Sequence, residues 1–315
     1  MLKRMIRSAA GAILLLAGAQ ASAHDVMTLD QFAAAIGWDF ESAEIRTEKV
    51  GDNLYVLFGV GGNIAVSVGD DGVLVVDDQF PRMMDRIKAA IAELGGAEID
   101  FAINTHWHFD HADGNLTLGP EGTWIVAQAN ARAMNLDDHV INLVSMQIGQ
   151  AAYPAAALPD LTFDDRMQFH FNGEKIDLVH FGPAHTTGDT GVIFRGSNAV
   201  HLGDVFNGLY PFIDADNGGG INGLISFCEA VLAEIDTDTK VIPGHGEVST
   251  YADLQAYIAM LSTIRDRIVA MIEDGMGLEE IIAAGPTGEF DERYGDPATV
   301  IDRAYHSLVR DAAGD

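Results

Sequence analysis

Phe101-Ala102-Ile103-Asn104-Thr105-His106-Trp107-His108-Phe109-Asp110-His111-Ala112-Asp113-Gly114-Asn115 is the stretch that decides how this chain is read. The apolar run Phe101–Ile103 has the composition of a buried strand, and Asp113-Gly114-Asn115 closes the segment with turn residues. Between them, four metal-capable side chains fall within six positions: His106, His108, Asp110 and His111. In extended backbone, side chains two apart point the same way, so His106 and His108 can meet one ion. Asp110 and His111 come one turn later, placed for a second ion beside the first. Imidazole and carboxylate together suit zinc and related borderline ions. The spacing is not that of the helical zinc motif, which sets two histidines four apart around a glutamate. A polar surface loop would account for one such histidine, but not for three with a carboxylate.

Working outward, β-branched runs punctuated by glycine predict strands at Leu54–Phe58, Ile64–Val68 and Val73–Val76, the third ending at Asp77-Asp78. Apolar spacing predicts a helix over Arg82–Leu94, stopped by Gly95-Gly96. Trp124–Ala127 reads as a strand, with a helix from Asn130. A second set follows: strands at Leu161–Phe163, Met167–Phe171, Ile176–Phe181, Gly191–Phe194, Ala199–Leu202 and Lys240–Ile242, and helices over Ile221–Ile235 and Ala252–Glu273. Two such halves predict an α/β fold, an αββα sandwich of two packed mixed β-sheets with helices on both outer faces. No stretch rich in Pro, Ser or charge separates the halves, so residues 24–315 are read as one domain. Its core runs from about 45 to 274, and helices at Leu278–Ala284 and Pro297–Val309 form a C-terminal extension over 275–315. Phe32, Ile36, Trp38 and Phe40 read as packing residues. The glycine-rich stretch Phe58–Gly62 reads as a short apolar flap over a small substrate.

The chain opens with Lys3, Arg4 and Arg7, then an apolar run from Ala9 to Gly18, then Ala21-Ser22-Ala23. This is the pattern of a cleavable secretory signal over residues 1–23, too short to span a bilayer. The expected compartment is the periplasm or the medium, with no membrane insertion after cleavage. Removing the leader's three basic residues takes the net charge from −29 to −32. Such a surface repels polyanions, which argues against a nucleic-acid partner and leaves a small molecule as the substrate. Cys228 is the single cysteine, so an internal disulfide is excluded. It falls in an amphipathic helical pattern, where a core thiol is expected.

Three further candidates stand just after predicted strands: His185 in Gly182-Pro183-Ala184-His185, Asp204 in Leu202-Gly203-Asp204, and His245 in Pro243-Gly244-His245-Gly246. Loops at strand ends expose side chains in a rigid frame. In this order after His-x-His-x-Asp-His, the set resembles the metallo-β-lactamase superfamily of hydrolases, from about Asn53 to Ile272. The resemblance implies two zinc ions per chain. His106, His108 and His185 would hold the first, Asp110, His111 and His245 the second, and Asp204 would bridge them. It also implies hydrolysis by a water that two cations make nucleophilic, with Asp110 as the catalytic residue orienting it and moving its proton. Asp77 is a candidate for supporting the ligands through hydrogen bonds.

The substrate is read from the departures. Secreted β-lactamases of the superfamily commonly carry cysteine or serine where Asp204 stands, and a basic residue in the region Asp204–Lys240, where this chain has none. A bridging aspartate resembles glyoxalase II and the lactonases instead. Export favours a β-lactam, which acts in the periplasm. The leading expectation is thus β-lactam hydrolysis, followed by lactone or thioester hydrolysis, then a non-hydrolytic metal or redox protein. Lacking a nearby lysine or arginine, the chain offers Gly219, Gly220 and Asn222, at the start of the Ile221 helix, as a candidate carboxylate-binding site.

Overall fold

The computed structural model describes residues 25–314; the expected signal and its cleavage site at Ala23 lie outside the described residues. Sheet one is built from β1 (Arg46–Lys49), β2 (Leu54–Phe58), β3 (Ile64–Gly69), β4 (Gly72–Val76), β5 (Phe101–Ile103) and β6 (Trp124–Gln128). A separate hairpin follows, β7 (His139–Asn142) with β8 (Gln147–Gln150), and β9 (Leu161–Phe163) completes sheet one beside β6. Sheet two runs β10 (Arg166–Phe171), β11 (Glu174–Val179), β12 (Gly191–Phe194), β13 (Ala199–His201), β14 (Lys240–Ile242) and β15 (Ser249–Thr250). The first four strands of each sheet pair antiparallel. In sheet one, β4, β5, β6 and β9 then run parallel, as do β13 and β14 in sheet two. The helices are α1 (Leu29–Ile36), α2 (Met84–Glu93), α3 (Phe109–Ala112), α4 (Asn115–Glu121), α5 (Ala129–Met134), α6 (Ile221–Leu232), α7 (Tyr251–Glu273), α8 (Leu278–Ala284), α9 (Asp291–Tyr294) and α10 (Ala298–Ala313).

Side-chain alternation explains the layering. On one face of sheet one, Leu54, Val56, Leu74, Val76 and Ile103 meet Ile176, Leu178, Val192 and Ile242 of sheet two. On its other face, Leu57, Ile64, Val66, Val73 and Val75 pack under Ile87 and Ile91 of α2. Val179, Ile193, Val200 and Val241 point from sheet two toward α6, α7 and α10. The result is the four-layer α/β sandwich. Each fully buried Leu or Ile stabilises by about 1.5–3 kcal/mol, so the strand ends are held by a stiff double-sided core.

More than half of the expected boundaries coincide with the observed ones, and the rest shift by one to four residues. Pro81–Met83 forms a tighter 3-10 turn before α2, because proline fits the first turn of a helix and lacks only an N–H that would go unpaired there. Ala298–Ala313 continues to a left-handed Gly314 cap. The β7–β8 hairpin had no counterpart in the sequence reading. The C-terminal helices pack through Ile281, Val300, Ile301, Ala304 and Leu308 onto the α6–α7 face of sheet two.

Candidate metal centre

Five connections at the C-terminal ends of strands build the site. β4 delivers Asp77, β5 delivers His106 to His111, β11 leads to His185, β13 to Asp204 and β14 to His245. A bend over Thr105–Trp107, not the extended run expected, carries the chain from β5 to His108, and α3 then turns Asp110 and His111 toward the same point. Three groups of donors result: His106, His108 and His185; His106, His111 and Asp204; Asp110, His111 and His245. Within each, the ligand atoms lie within 4.8 Å of one another. All seven sequence-predicted donors are therefore brought together. Asp204 faces both halves, with Oδ1 3.2 Å from His111 Nε2 and Oδ2 3.8 Å from His185 Nε2.

Three of the five histidines are oriented through the other ring nitrogen. Asp214 Oδ2 accepts from His108 Nε2 at 2.9 Å, and the Phe212 carbonyl from His185 Nδ1 at 2.8 Å. Asp77 Oδ2 accepts from His111 Nδ1 at 2.7 Å. These acceptors assign the tautomers: His108 Nδ1, His185 Nε2 and His111 Nε2 turn lone pairs inward. His108 Nδ1 and His185 Nε2 then face each other at 2.9 Å, a repulsive arrangement unless a cation or proton lies between them. His106 Nε2 is buried with no hydrogen-bond partner among the described residues. Bare nitrogens converging beside two carboxylates fit a divalent metal, and imidazole with carboxylate is a zinc-type donor set.

The electrostatics agree. Burial, with His111, His185 and His108 alongside, holds His106 well below the usual histidine range, which keeps it neutral. Burial would do the same to His111, but Asp110, Asp204 and Asp77 outweigh it and push its pKa well up. Burial opposes ionisation of Asp204 too, yet His245 and His111 pull it well below the carboxylate range. The carboxylate end of the site thus attracts positive charge, which a proton supplies until a metal displaces it.

Asp77 sits at φ 65°, a left-handed conformation uncommon outside glycine. Its carboxylate accepts from Thr105 N at 2.7 Å, Thr105 Oγ1 at 2.9 Å and His111 Nδ1, which fixes it there. Gly62 and Gly244 close the site from behind. A Cβ at Gly62 would collide with the His111 ring, and one at Gly244 with Asp204 Oδ1.

Two expectations are corrected. Gly219, Gly220 and Asn222 form no carboxylate site on the cavity. Gly219 lies behind His185, where a Cβ would strike the His185 carbonyl. The N–H groups of Gly219, Gly220 and Ile221 are already bound to Asp214 O, Ala184 O and Ser307 Oγ, and Asn222 reaches Asp311. The cleft at this helix start is lined by Pro183, Gly218, Gly220, Gly223, Arg310 and Asp311 and shares no residue with the cavity over the donors. Phe58–Gly62 is no flap either: Gly62 N donates to Asp110 O, Gln79 Nε2 donates to Gly62 O, and the loop packs beneath the ligands.

The open space over the donors lies elsewhere. A cavity of about 520 Å³ opens over His108, Asp110, Asp204 and His245. Its walls include Phe32 and Trp38, read from sequence as packing residues only, and Ile141, Leu143 and Ile148 of the hairpin. Asp214, Asn207 and this hairpin were missed. The spacing that marks ligands does not mark their supports; an acid within the apolar Pro211-Phe212-Ile213-Asp214 was the available hint.

Residues 57–256 match the family model described as the metallo-beta-lactamase superfamily. The chain belongs to the metallo-beta-lactamase superfamily. Among solved structures, it is similar to the DIM-1 metallo-beta-lactamase, at TM-score 0.56 and 19% identity over 70% of this chain and 98% of that one. It is also similar to a metallo-beta-lactamase from Pontibacter korlensis, at TM-score 0.55 and 14% identity over 70% and 99%. A curated relative is the 2,4-dinitroanisole O-demethylase subunit alpha of Nocardioides sp. (strain JS1661), 23% identical over 55% of this chain. The match spans about half that relative's length, 49%.

Proposed function

We propose that this chain is an exported, zinc-dependent hydrolase that holds two zinc ions and cleaves a carbonyl-centred bond. The observation that carries the reading is the convergence of seven donors around a shared Asp204, on the floor of an open cavity. His106, His108 and His185 would hold one ion, and Asp110, His111 and His245 the other, with Asp204 between. Bound there, the ions would supply Lewis acidity and a lowered pKa for water at neutral pH.

The protein's own part is positioning and proton movement. Asp110 faces the cavity with Oδ2 3.1 Å from His245 Nε2. Burial would raise its carboxyl, but His111 and His245 hold it below the usual range, so it is an available proton acceptor beside the reacting carbonyl. Asn207 Oδ1 accepts from the His245 N–H at 2.9 Å, which leaves its amide NH₂ for a developing oxyanion.

β-Lactam opening is supported by the expected export; lactone or thioester hydrolysis is supported by the carboxylate at position 204. The curated relative is named for O-demethylation of 2,4-dinitroanisole, an aryl ether. A similar reaction here is a second reading, favoured by the aromatic side chains at the cavity. Zinc-loaded protein assayed side by side on a chromogenic cephalosporin, an acyl-homoserine lactone, a glutathione thioester and 2,4-dinitroanisole separates these. Turnover abolished in His185→Ala supports hydrolysis at this centre. Two zinc equivalents with no turnover of any substrate class would overturn the hydrolase reading.

A further inference from the structure

The cavity draws its walls from three separate stretches of chain. Phe32 and Trp38 come from the N-terminal segment, their rings edge-on at 5.6 Å. Ile141 and Ile148 come from the hairpin, and Leu209 and Phe212 from the segment after Asp204. Phe212 places its ring 6.0 Å from His108 and 5.7 Å from His185, so aromatic surface begins where the metal donors end. Among the described residues, no lysine or arginine lines the space. The acids there are Asp110, Asp204 and, at the rim, Glu247. Arg46 is paired with Glu247 at 2.7 Å, and its guanidinium stacks on Phe58, so its charge is already engaged.

We infer that the cavity seats an uncharged aromatic substrate, its ring against Trp38, Phe32 and Phe212 and its scissile group over the histidines and aspartates; this rests on the hydrolase reading above. Ring edges and faces offer the offset and edge-on contacts that aromatic ligands take. An anionic substituent on the far side of the ring would leave water for apolar carbon, with no cation to receive it. The ions cannot compensate, because they would lie at the other end of the substrate.

Two experiments test the seat, one of them independent of turnover. Of the chain's three tryptophans, Trp107 is fully buried and Trp124 is 54% exposed on β6, so Trp38 reports on the cavity. In protein stripped of metal, 4-nitroacetophenone should quench Trp38 with at least tenfold tighter binding than 4-nitrobenzoate, and Trp38→Phe should remove the signal. Equal binding of the two, or quenching unchanged in Trp38→Phe, would overturn the seat. In zinc-loaded protein, phenyl acetate should exceed 4-acetoxybenzoate at least tenfold in kcat/KM. Leu209, 62% exposed at the rim, tolerates a charge without refolding the core. Leu209→Arg should cut that ratio at least tenfold by supplying the missing cation. A ratio near one in the unaltered protein would refute the selection. Selective quenching by the ketone in protein that turns over neither ester nor any of the four substrate classes above would support the seat and sink the hydrolase reading instead.

Discussion

Removing the Asp214 carboxylate tests whether one buried hydrogen bond sets the affinity of the His106–His108–His185 group. Asp214 is 1% exposed; its Oδ2 accepts from His108 Nε2 at 2.9 Å, and both oxygens take Asn217 Nδ2, at 2.9 and 3.0 Å. Asp214→Ala leaves the His108 N–H buried without an acceptor, a cost of about 1–3 kcal/mol if the ring stays in place. If the ring turns to escape that cost, its Nδ1 lone pair no longer points inward. Either way zinc affinity at this group should fall about 10–100-fold, equivalent to about 1.4–2.7 kcal/mol. The main-chain bond from Asp214 N to His185 O survives the substitution, so the loop should keep its path. Competition against a chromophoric chelator measures the two binding steps, and His185→Ala identifies which step belongs to this group. Asp214→Asn keeps a neutral acceptor and should lose less. Unchanged affinity in Asp214→Ala, or equal losses at both steps, would refute the reasoning.

Asp77→Asn should weaken the Asp110–His111–His245 group by a similar factor, read from the same titration. Asparagine tolerates the left-handed backbone, but its amide would set a donor against Thr105 or His111, both donors already. Arg303 is 5% exposed and ties Asp302 to Asp216 at 3.0 Å, while Asp216 also takes Asn142 of the hairpin at 2.8 Å. Arg303→Leu should lower stability by about 3 kcal/mol, at the small end for a broken buried pair because Asp216 is half exposed. It should also raise KM by loosening the hairpin wall; an unchanged melting temperature and KM would count against the clamp. Burial pushes the Asp113 carboxyl up to about 7 despite the hydrogen bond from Tyr153. A raised acid favours folding while protonated, so its contribution is complete below pH 3.8 and is lost as pH climbs through 7. Asp113→Asn, in protein stripped of metal, should therefore melt higher than the parent at pH 8 and converge with it at pH 4. A constant difference across that range would contradict the assignment.

The candidate metal donors were legible because chemistry confines them to few residue types, at spacings that strand ends impose. His106, His108, Asp110 and His111 announce themselves in six positions, and His185, Asp204 and His245 each follow a strand. Their supports are another matter. Asp214 meets His108 across 106 positions of sequence, and Phe212 holds His185 through a carbonyl that any residue would provide. The hairpin His139–Gln150 was hidden because its alternation is mixed and its turn residue Val144, at φ 69°, is an unlikely choice for that backbone. The glycines at 218–220 suggested an anion seat through their freedom, but Gly219 serves close packing against the His185 carbonyl, while Gly218 faces Thr187 and Gly220 faces Arg310 and Ser307.

The closed rear of the site also sets the order of traffic through it. With Gly62 and Gly244 pressed against His111 and Asp204, and His106, His108 and His185 almost wholly buried, the exposed ligand is His245, its side chain 38% accessible. A chelator therefore meets the Asp110–His111–His245 end first, through the mouth of the cavity. Anything resident in the cavity would then also be a stopper, and exchange of an ion held by His106, His108 and His185 would slow whenever the mouth is filled. Metal retention would then be a property of what fills the cavity, not of the ligands alone.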